Sequence, residues 1–279
     1  MTLHKSGNLG ELNHNHLTTF GRKVMKRHLK IIGPFEPIIS KIKLFILSGI
    51  IAFNYNCEDA STADNNNSSN LLFIASEGNF GQNNGSISVF NDNEKIQELL
   101  NVGDVLQSIL VHDNHLYAIV NGNSEIKRYA ISETGLTLPG ITISTNNSSP
   151  REMCVLNNKL YFSNWNSKDI KVLNLNTFAI EQSIPLNGLP EDITTDDTNL
   201  YASIPHLELY DQGNGTTVVK IDPLTNQTIK TYEVGKGPQH LIIHNDNIFV
   251  SRTYYSENWY QTFFGTTQIN LITDEVISV

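Results

Sequence analysis

Met153-Cys154-Val155-Leu156-Asn157-Asn158-Lys159-Leu160-Tyr161-Phe162 is a short apolar run, a pair of asparagines and a second apolar run. Asparagine tolerates positive φ, so such a pair between two short alternating runs reads as a hairpin turn. Upstream, Ser149-Pro150-Arg151 opens an inner strand that carries Met153 and Val155. Downstream comes a polar loop, Asn164-Trp165-Asn166-Ser167, then a third strand, Ile170-Lys171-Val172-Leu173, and a fourth from Ile180 to Leu186. The turn recurs at Asp113-Asn114, Asp197-Thr198-Asn199 and Asp246-Asn247. The apolar pair after the turn recurs as Leu72-Phe73, Leu116-Tyr117, Leu160-Tyr161, Leu200-Tyr201 and Ile248-Phe249, at spacings of 44, 44, 40 and 48 residues.

A period near 40 filled by four short strands defines an all-β chain and predicts a β-propeller of four-stranded blades. The first repeat begins at Leu71 on what is elsewhere the second strand, and the last runs to Val279 on what reads as a fourth. Four four-stranded blades and one three-stranded blade are therefore expected. The expectation is about five blades truncated from a seven-bladed ring, with a closed five-bladed ring as the alternative. Propellers host enzymes, receptors and scaffolds, so the fold leaves the chemistry open.

The repeat is sharpest at Val218-Val219-Lys220-Ile221-Asp222-Pro223-Leu224-Thr225-Asn226, then Ile229 to Val234, then Gly235-Lys236-Gly237-Pro238. This resembles the YVTN family of propeller repeats, with its V-x-x-I-D-x-x-T-N turn, an outer strand ending V-G, and a G-x-x-P lead into the next inner strand. Ser76-Glu77-Gly78-Asn79-Phe80-Gly81, Asn84 to Ser88, Gly103 to Ser108 and Ser149-Pro150-Arg151 look like the opening blades of YncE-like surface-layer proteins. The resemblance covers residues 71–279. It implies an exported, often lipidated propeller, and some relatives are surface receptors that hand a ligand to an outer-membrane transporter.

Charge is unevenly spread. Residues 1–57 hold eight Lys or Arg and two acids, while residues 58–279 hold 11 bases and 26 acids. The acidic body argues against a nucleic-acid partner. Two cysteines, Cys57 and Cys154, make no disulfide framework, and Cys154, inside an apolar run, reads as a small core residue. Residues 44–53, LFILSGIIAF, follow Lys41 and Lys43. Ten apolar residues are fewer than the about 20 that span a bilayer, and they fit the core of an export signal. Cys57 then stands where a lipoprotein signal places the acylated cysteine. Asn54-Tyr55-Asn56 departs from the family pattern, which has a small residue directly before the cysteine. The expected organisation is a leader at 1–57, a polar tether at 58–70 (EDASTADNNNSSN) and the propeller at 71–279. The expected location is the outer membrane or surface of a Gram-negative cell, with the periplasm as the alternative.

Loops that join second to third strands share a face with the starts of the inner strands, around the central funnel where propellers bind. They are unequal in length. Asn121-Gly122-Asn123 and the Trp165 loop are short, whereas Glu77–Gly85, Pro205–Asp211 and Thr253–Phe264 are long, and long loops on a rigid scaffold tend to carry function. The last loop is rich in aromatics, which give large amphipathic contact area at low entropic cost. Candidate binding residues are Gln107, Arg151, Glu191, Asp192 and His240 at the inner-strand starts, and Arg252, Tyr254, Trp259 and Tyr260 at the last loop. Arg151 could clamp a carboxylate or phosphate, or else tie one blade to the next. Tyr254 and Phe263 could equally pack the loop onto its own blade.

No nucleophile elbow, Cys-x-x-Cys pair or phosphate loop is present in the sequence. His112 and His115 flank a predicted hairpin turn across which their side chains should diverge, so no metal is expected there, and no cofactor is expected. These features point to a ligand- or partner-binding module, with an unknown small molecule or an envelope protein such as an outer-membrane transporter as its partner. A propeller enzyme of lyase or quinoprotein-like type and a purely structural surface-layer component are the other readings.

Overall fold

In the computed structural model, residues 71–278 are described. The leader, its apolar core at 44–53, Cys57 and the tether lie outside them. The strands of the described residues form antiparallel sheets laid down in sequence order. The first holds β1 (Leu71–Ser76), β2 (Ser86–Asn91) and β3 (Glu94–Leu99). The second holds β4 (Leu106–His112), β5 (His115–Val120), β6 (Glu125–Ser132), β7 (Gly135–Leu136) and β8 (Ile141–Ser144). The third is β9 (Pro150–Leu156), β10 (Lys159–Asn164), β11 (Asp169–Asn174) and β12 (Ile180–Pro185). The fourth is β13 (Ile193–Thr195), β14 (Leu200–Ile204), β15 (Thr217–Asp222) and β16 (Gln227–Glu233), and the fifth is β17 (Pro238–His244), β18 (Asn247–Tyr255), β19 (Thr262–Asn270) and β20 (Val276–Ser278).

Each sheet is a meander, and its first turn is made by the residues that the sequence marks. Asp113-Asn114 and Asn157-Asn158 all take positive φ, as does Asp197. In the fifth sheet the turn lies one residue earlier than expected. Asn245 and Asp246 take positive φ, and Asn247 already pairs with His244. The second sheet departs from four strands because its outer edge is split. β7 pairs with one end of β6 and β8 with the other, and Pro139 lies in the gap, without an N–H to continue a ladder.

Packing follows the repeated apolar pair. The second strands of the three middle sheets are sandwiched on both faces, so β5, β10 and β14 are buried almost throughout. Successive residues of a strand face opposite ways. Leu116, Leu160, Leu200 and Ile248 therefore enter the cluster shared with the preceding sheet, while Phe73, Tyr117, Tyr161 and Tyr201 enter the one shared with the next. Four clusters fill the four spaces between consecutive sheets. Tyr117, Tyr161 and Tyr201 keep 2%, 1% and 0% of their surface exposed, whereas Phe249, at the same position in the fifth sheet, keeps 37%. Cys154, expected in the core, is only half-buried at the border of its cluster. Outer strands β3, β12 and β16 are mostly exposed and carry charges that discourage edge pairing.

A serine three positions after the Leu of the pair ties sheet to sheet. Ser163 Oγ accepts the Glu152 N–H at 3.1 Å and donates to the Glu191 carbonyl at 2.7 Å. Ser203 Oγ accepts the Asp192 N–H at 3.1 Å and donates to the Gln239 carbonyl at 2.7 Å. Ser251 Oγ likewise accepts the His240 N–H at 3.1 Å. The hydroxyls satisfy main-chain groups at the inner-strand starts, which are bulged in the third and fifth sheets and precede the ladder in the fourth.

Candidate functional site

The starts of the inner strands and the second-to-third-strand loops do share a face. Asn121 N–H donates to the Val105 carbonyl, Trp165 N–H to Ser149, Leu189 N–H to His206 and Thr253 N–H to Gly237. Gly237 N–H donates to Gly215, which binds the fourth loop to the start of the fifth sheet. Two polar groupings lie on this face.

The first runs across the inner strands in two rows. One row is Gln107, Arg151 and Glu191. The Arg151 guanidinium donates through Nε to Glu191 Oε2 at 3.0 Å, through Nη2 to Glu191 Oε1 at 2.8 Å and through Nη1 to Gln107 Oε1 at 3.0 Å. It also covers the Trp165 ring at 4.2 Å. The guanidinium thus spends its hydrogen bonds on two neighbouring blades, which is the tying role the sequence left open. Although burial alone would raise it, the Glu191 carboxyl is held below the usual range by Arg151.

The other row is Ser108, Glu152, Asp192 and His240, each one residue further along. Ser108 Oγ donates to Glu152 Oε2 at 2.6 Å, Asp192 Oδ2 accepts the Leu241 N–H at 2.8 Å, and His240 Nδ1 lies 3.7 Å from Asp192 Oδ2. Burial, then the Asp192 carboxylate, push the Glu152 carboxyl up to about 8. Burial lowers the His240 imidazole, but the Asp192 carboxylate outweighs it and the net shift is upward. Ser108 and Glu152 were not singled out from the sequence. Their signal was alignment of the strand starts, where Pro150-Arg151-Glu152, Pro190-Glu191-Asp192 and Pro238-Gln239-His240 register the second row as clearly as the first.

The second grouping is the rim. Asp211 organises the loop from Pro205, accepting from His206 Nδ1 at 2.6 Å, Leu207 N at 2.7 Å and Gly213 N at 2.9 Å. Burial opposes ionisation there, but these donors win and hold its carboxyl down at about 2. His206 meets the edge of Trp165 at 5.5 Å, so a continuous line runs from Arg151 through Trp165 and His206 to Asp211. The hairpin between β18 and β19 leans on this loop through Tyr255 N–H, which donates to the Gln212 carbonyl at 2.8 Å. Tyr254 stacks on Phe263 at 5.0 Å, and its backbone lies against Gly213. Tyr254 is therefore a packing residue of the hairpin base rather than a free rim aromatic. Trp259 leans on Tyr255 at 5.2 Å, and beyond it Tyr260 and Phe264 are 89% and 77% exposed. Leu207, Leu209 and Tyr210 are exposed on the adjoining loop. Phe80 is exposed on the loop after β1, whose Glu77 carbonyl and Gly85 N–H bond to the start of the second sheet. Arg252 extends from β18 against Gly235 and Gly265.

No family model and no curated protein matches the chain in sequence. Among solved structures it is similar to hydrazine synthase of Kuenenia stuttgartiensis, with a TM-score of 0.58 at 14% identity over 75% of this chain and 62% of that one. It is similar to the Pan2 WD40 domain of Neurospora crassa, at 0.55 and 15% over 76% and 62%. A protein of unknown function from Bacteroides caccae gives 0.55 and 10% over 75% and 76%. The chain spans about three-fifths of the length of the first two. The fold is that of a β-propeller with about five blades, and identities this low carry the fold alone.

Proposed function

We propose that the protein is an exported, Cys57-lipidated propeller that binds a ligand or partner at the cell envelope through the rim formed by the 205–213 loop and the β18–β19 hairpin. The observation that carries this reading is the exposure of Tyr210, Trp259, Tyr260 and Phe264 on loops fixed by hydrogen bonds and stacking. Large aromatics held at low entropic cost on a rigid scaffold are what hot spots are made of. The resemblance of residues 71–279 to YVTN and YncE-like repeats supports an envelope setting, with an outer-membrane transporter as the partner class. The basic flank, short apolar core and Cys57 support anchoring to the outer membrane or cell surface.

A pull-down from outer-membrane extract with the wild type and with Trp259→Ala/Tyr260→Ala tests the rim. A partner retained by the wild type and lost by the variant supports it, and equal recovery by both removes the rim from the site. In the same cells, Cys57→Ser is expected to leave the membrane fraction, and persistence after a carbonate wash would exclude acyl anchoring.

A further inference from the structure

The described chain has three arginines. Arg128 donates to the Tyr117 hydroxyl and meets His115 Nε2 at 2.6 Å, and Arg151 is held by Glu191 and Gln107. The Arg252 side chain has no hydrogen bond, ion pair or ring contact among the described residues, and its Nε is buried with no partner. A buried donor left unpaired costs about 1–3 kcal/mol, more when charged, so such a group calls for an acceptor.

The position makes this more pointed. Val120, Asn164 and Ile204 occupy the same place, four residues after the Leu of the repeated pair, and all three are buried, Val120 and Ile204 within inter-blade clusters. The fifth sheet puts a cation there and clears room for it. A Cβ on Gly235 would collide with Nη1, and one on Gly265 would come within 2.6 Å of Nη2. Both glycines thus leave the planar fork open between the Gly235-Lys236-Gly237 turn and the base of the hairpin. Lys236 is exposed in that turn and makes no ion pair among the described residues. Arg252 lies two residues from Tyr254, at the foot of the aromatic rim.

We infer that the Arg252 guanidinium is an oxyanion subsite, which holds a carboxylate or phosphate group of the molecule bound at the rim. The inference rests on the rim reading and adds a ligand class to it. Guanidinium matches both oxyanions through paired N–H donors, and Lys236 adds charge without geometry.

The test uses the full chain, labelled with nitrogen-15, with the arginine Nε–H signals followed during titration with acetate, inorganic phosphate and, at matched ionic strength, chloride. The Arg252 signal, assigned by its loss in Arg252→Gln, is expected to move with acetate, with phosphate or with both, and not with chloride; the stronger responder identifies the group. Arg252→Lys lacks that signal, so it is followed through the backbone amide signals of Gly235 and Gly265, whose shift on titration is expected to need about tenfold more anion than in the wild type, since lysine keeps the charge and loses the fork. An Arg252 signal that stays still in both oxyanions, or that moves equally in chloride, overturns the subsite. Trp259→Ala/Tyr260→Ala separates the two ideas. If that variant keeps the anion response while recovery of the partner is unaffected, the rim reading fails and the subsite stands. If the rim variant loses its partner and Arg252 stays silent, the subsite alone fails.

Discussion

Arg151 and Glu191, forty positions apart, meet in a two-pronged ion pair, with Nε 3.0 Å from Oε2 and Nη2 2.8 Å from Oε1. Glu191 is buried, so losing Arg151 leaves a charge stranded between the third and fourth blades. Arg151→Ala is expected to cost about 3–5 kcal/mol. Pairing it with Glu191→Leu should recover much of that loss, because no uncompensated charge then remains. Urea unfolding of the two variants decides it, and equal losses would show that the pair is not the source.

The second polar row sets a pH limb. Glu152 and His240 both have folded pKa values above their ordinary ones, 4.5 and 6.5. Each contributes stability that is full below the ordinary value and is lost as pH rises through the folded one, which for Glu152 is about 8. Glu191, with a lowered pKa, acts oppositely and loses its contribution as pH falls. Melting temperature is therefore expected to decline from mildly acidic to mildly alkaline pH. Glu152→Gln should flatten that decline, and an unchanged slope would put the titration elsewhere.

Rim and base of the hairpin separate by stability. Tyr260→Ala is expected to change unfolding free energy by no more than about 0.5 kcal/mol, as exposed substitutions do. Tyr254→Ala removes the stack on Phe263 while keeping its backbone and Cβ against Gly213, and should cost about 1–3 kcal/mol. Thermal and chemical melts of the two single variants give the comparison.

Equivalent positions should respond unequally. Tyr201→Ala empties a filled space between blades and loses a hydroxyl bonded to Asp196 at 2.8 Å, for an expected cost of about 3–5 kcal/mol. Phe249→Ala, on the outer face of the fifth sheet, should cost well under half as much. If the two losses match, Phe249 is covered in solution.

Ser203→Ala leaves the Asp192 N–H without its acceptor and the Gln239 carbonyl without its donor, an expected loss of about 1–3 kcal/mol. Hydrogen exchange at Asp192 should accelerate, and protection equal to the wild type would mean another group replaces the hydroxyl.

The blades were legible because the Leu-Tyr pair and the Asn or Asp turns are local signals of strand period and positive φ. What could not be read was set by the approach of residues some forty positions apart. Arg151 offered the same sequence as a ligand clamp or a tie, and only the position of Glu191 decides between them. In the sequence Trp165 marks only a short loop, and its place beneath the Arg151 guanidinium comes from the fold. Tyr254 and Tyr260 have identical chemistry, but strand pairing stacks one on Phe263 and leaves the other in solvent. Gly235 and Gly265 carry no side-chain signal, and their use is visible only once Arg252 lies across both.

The back-to-back facing of the repeated pair also governs which substitutions can compensate one another. Leu160 and Tyr161 are joined by a peptide bond but belong to different packing units, whereas Tyr161 and Leu200 share one. In double-mutant cycles Tyr161 should couple to Leu200 by about 0.5–3 kcal/mol and combine almost additively with Leu160. Epistasis in this chain then follows the blade period, so a blade copied whole takes half of each of two contracts with it, and only a neighbour that honours the other half can accept the copy.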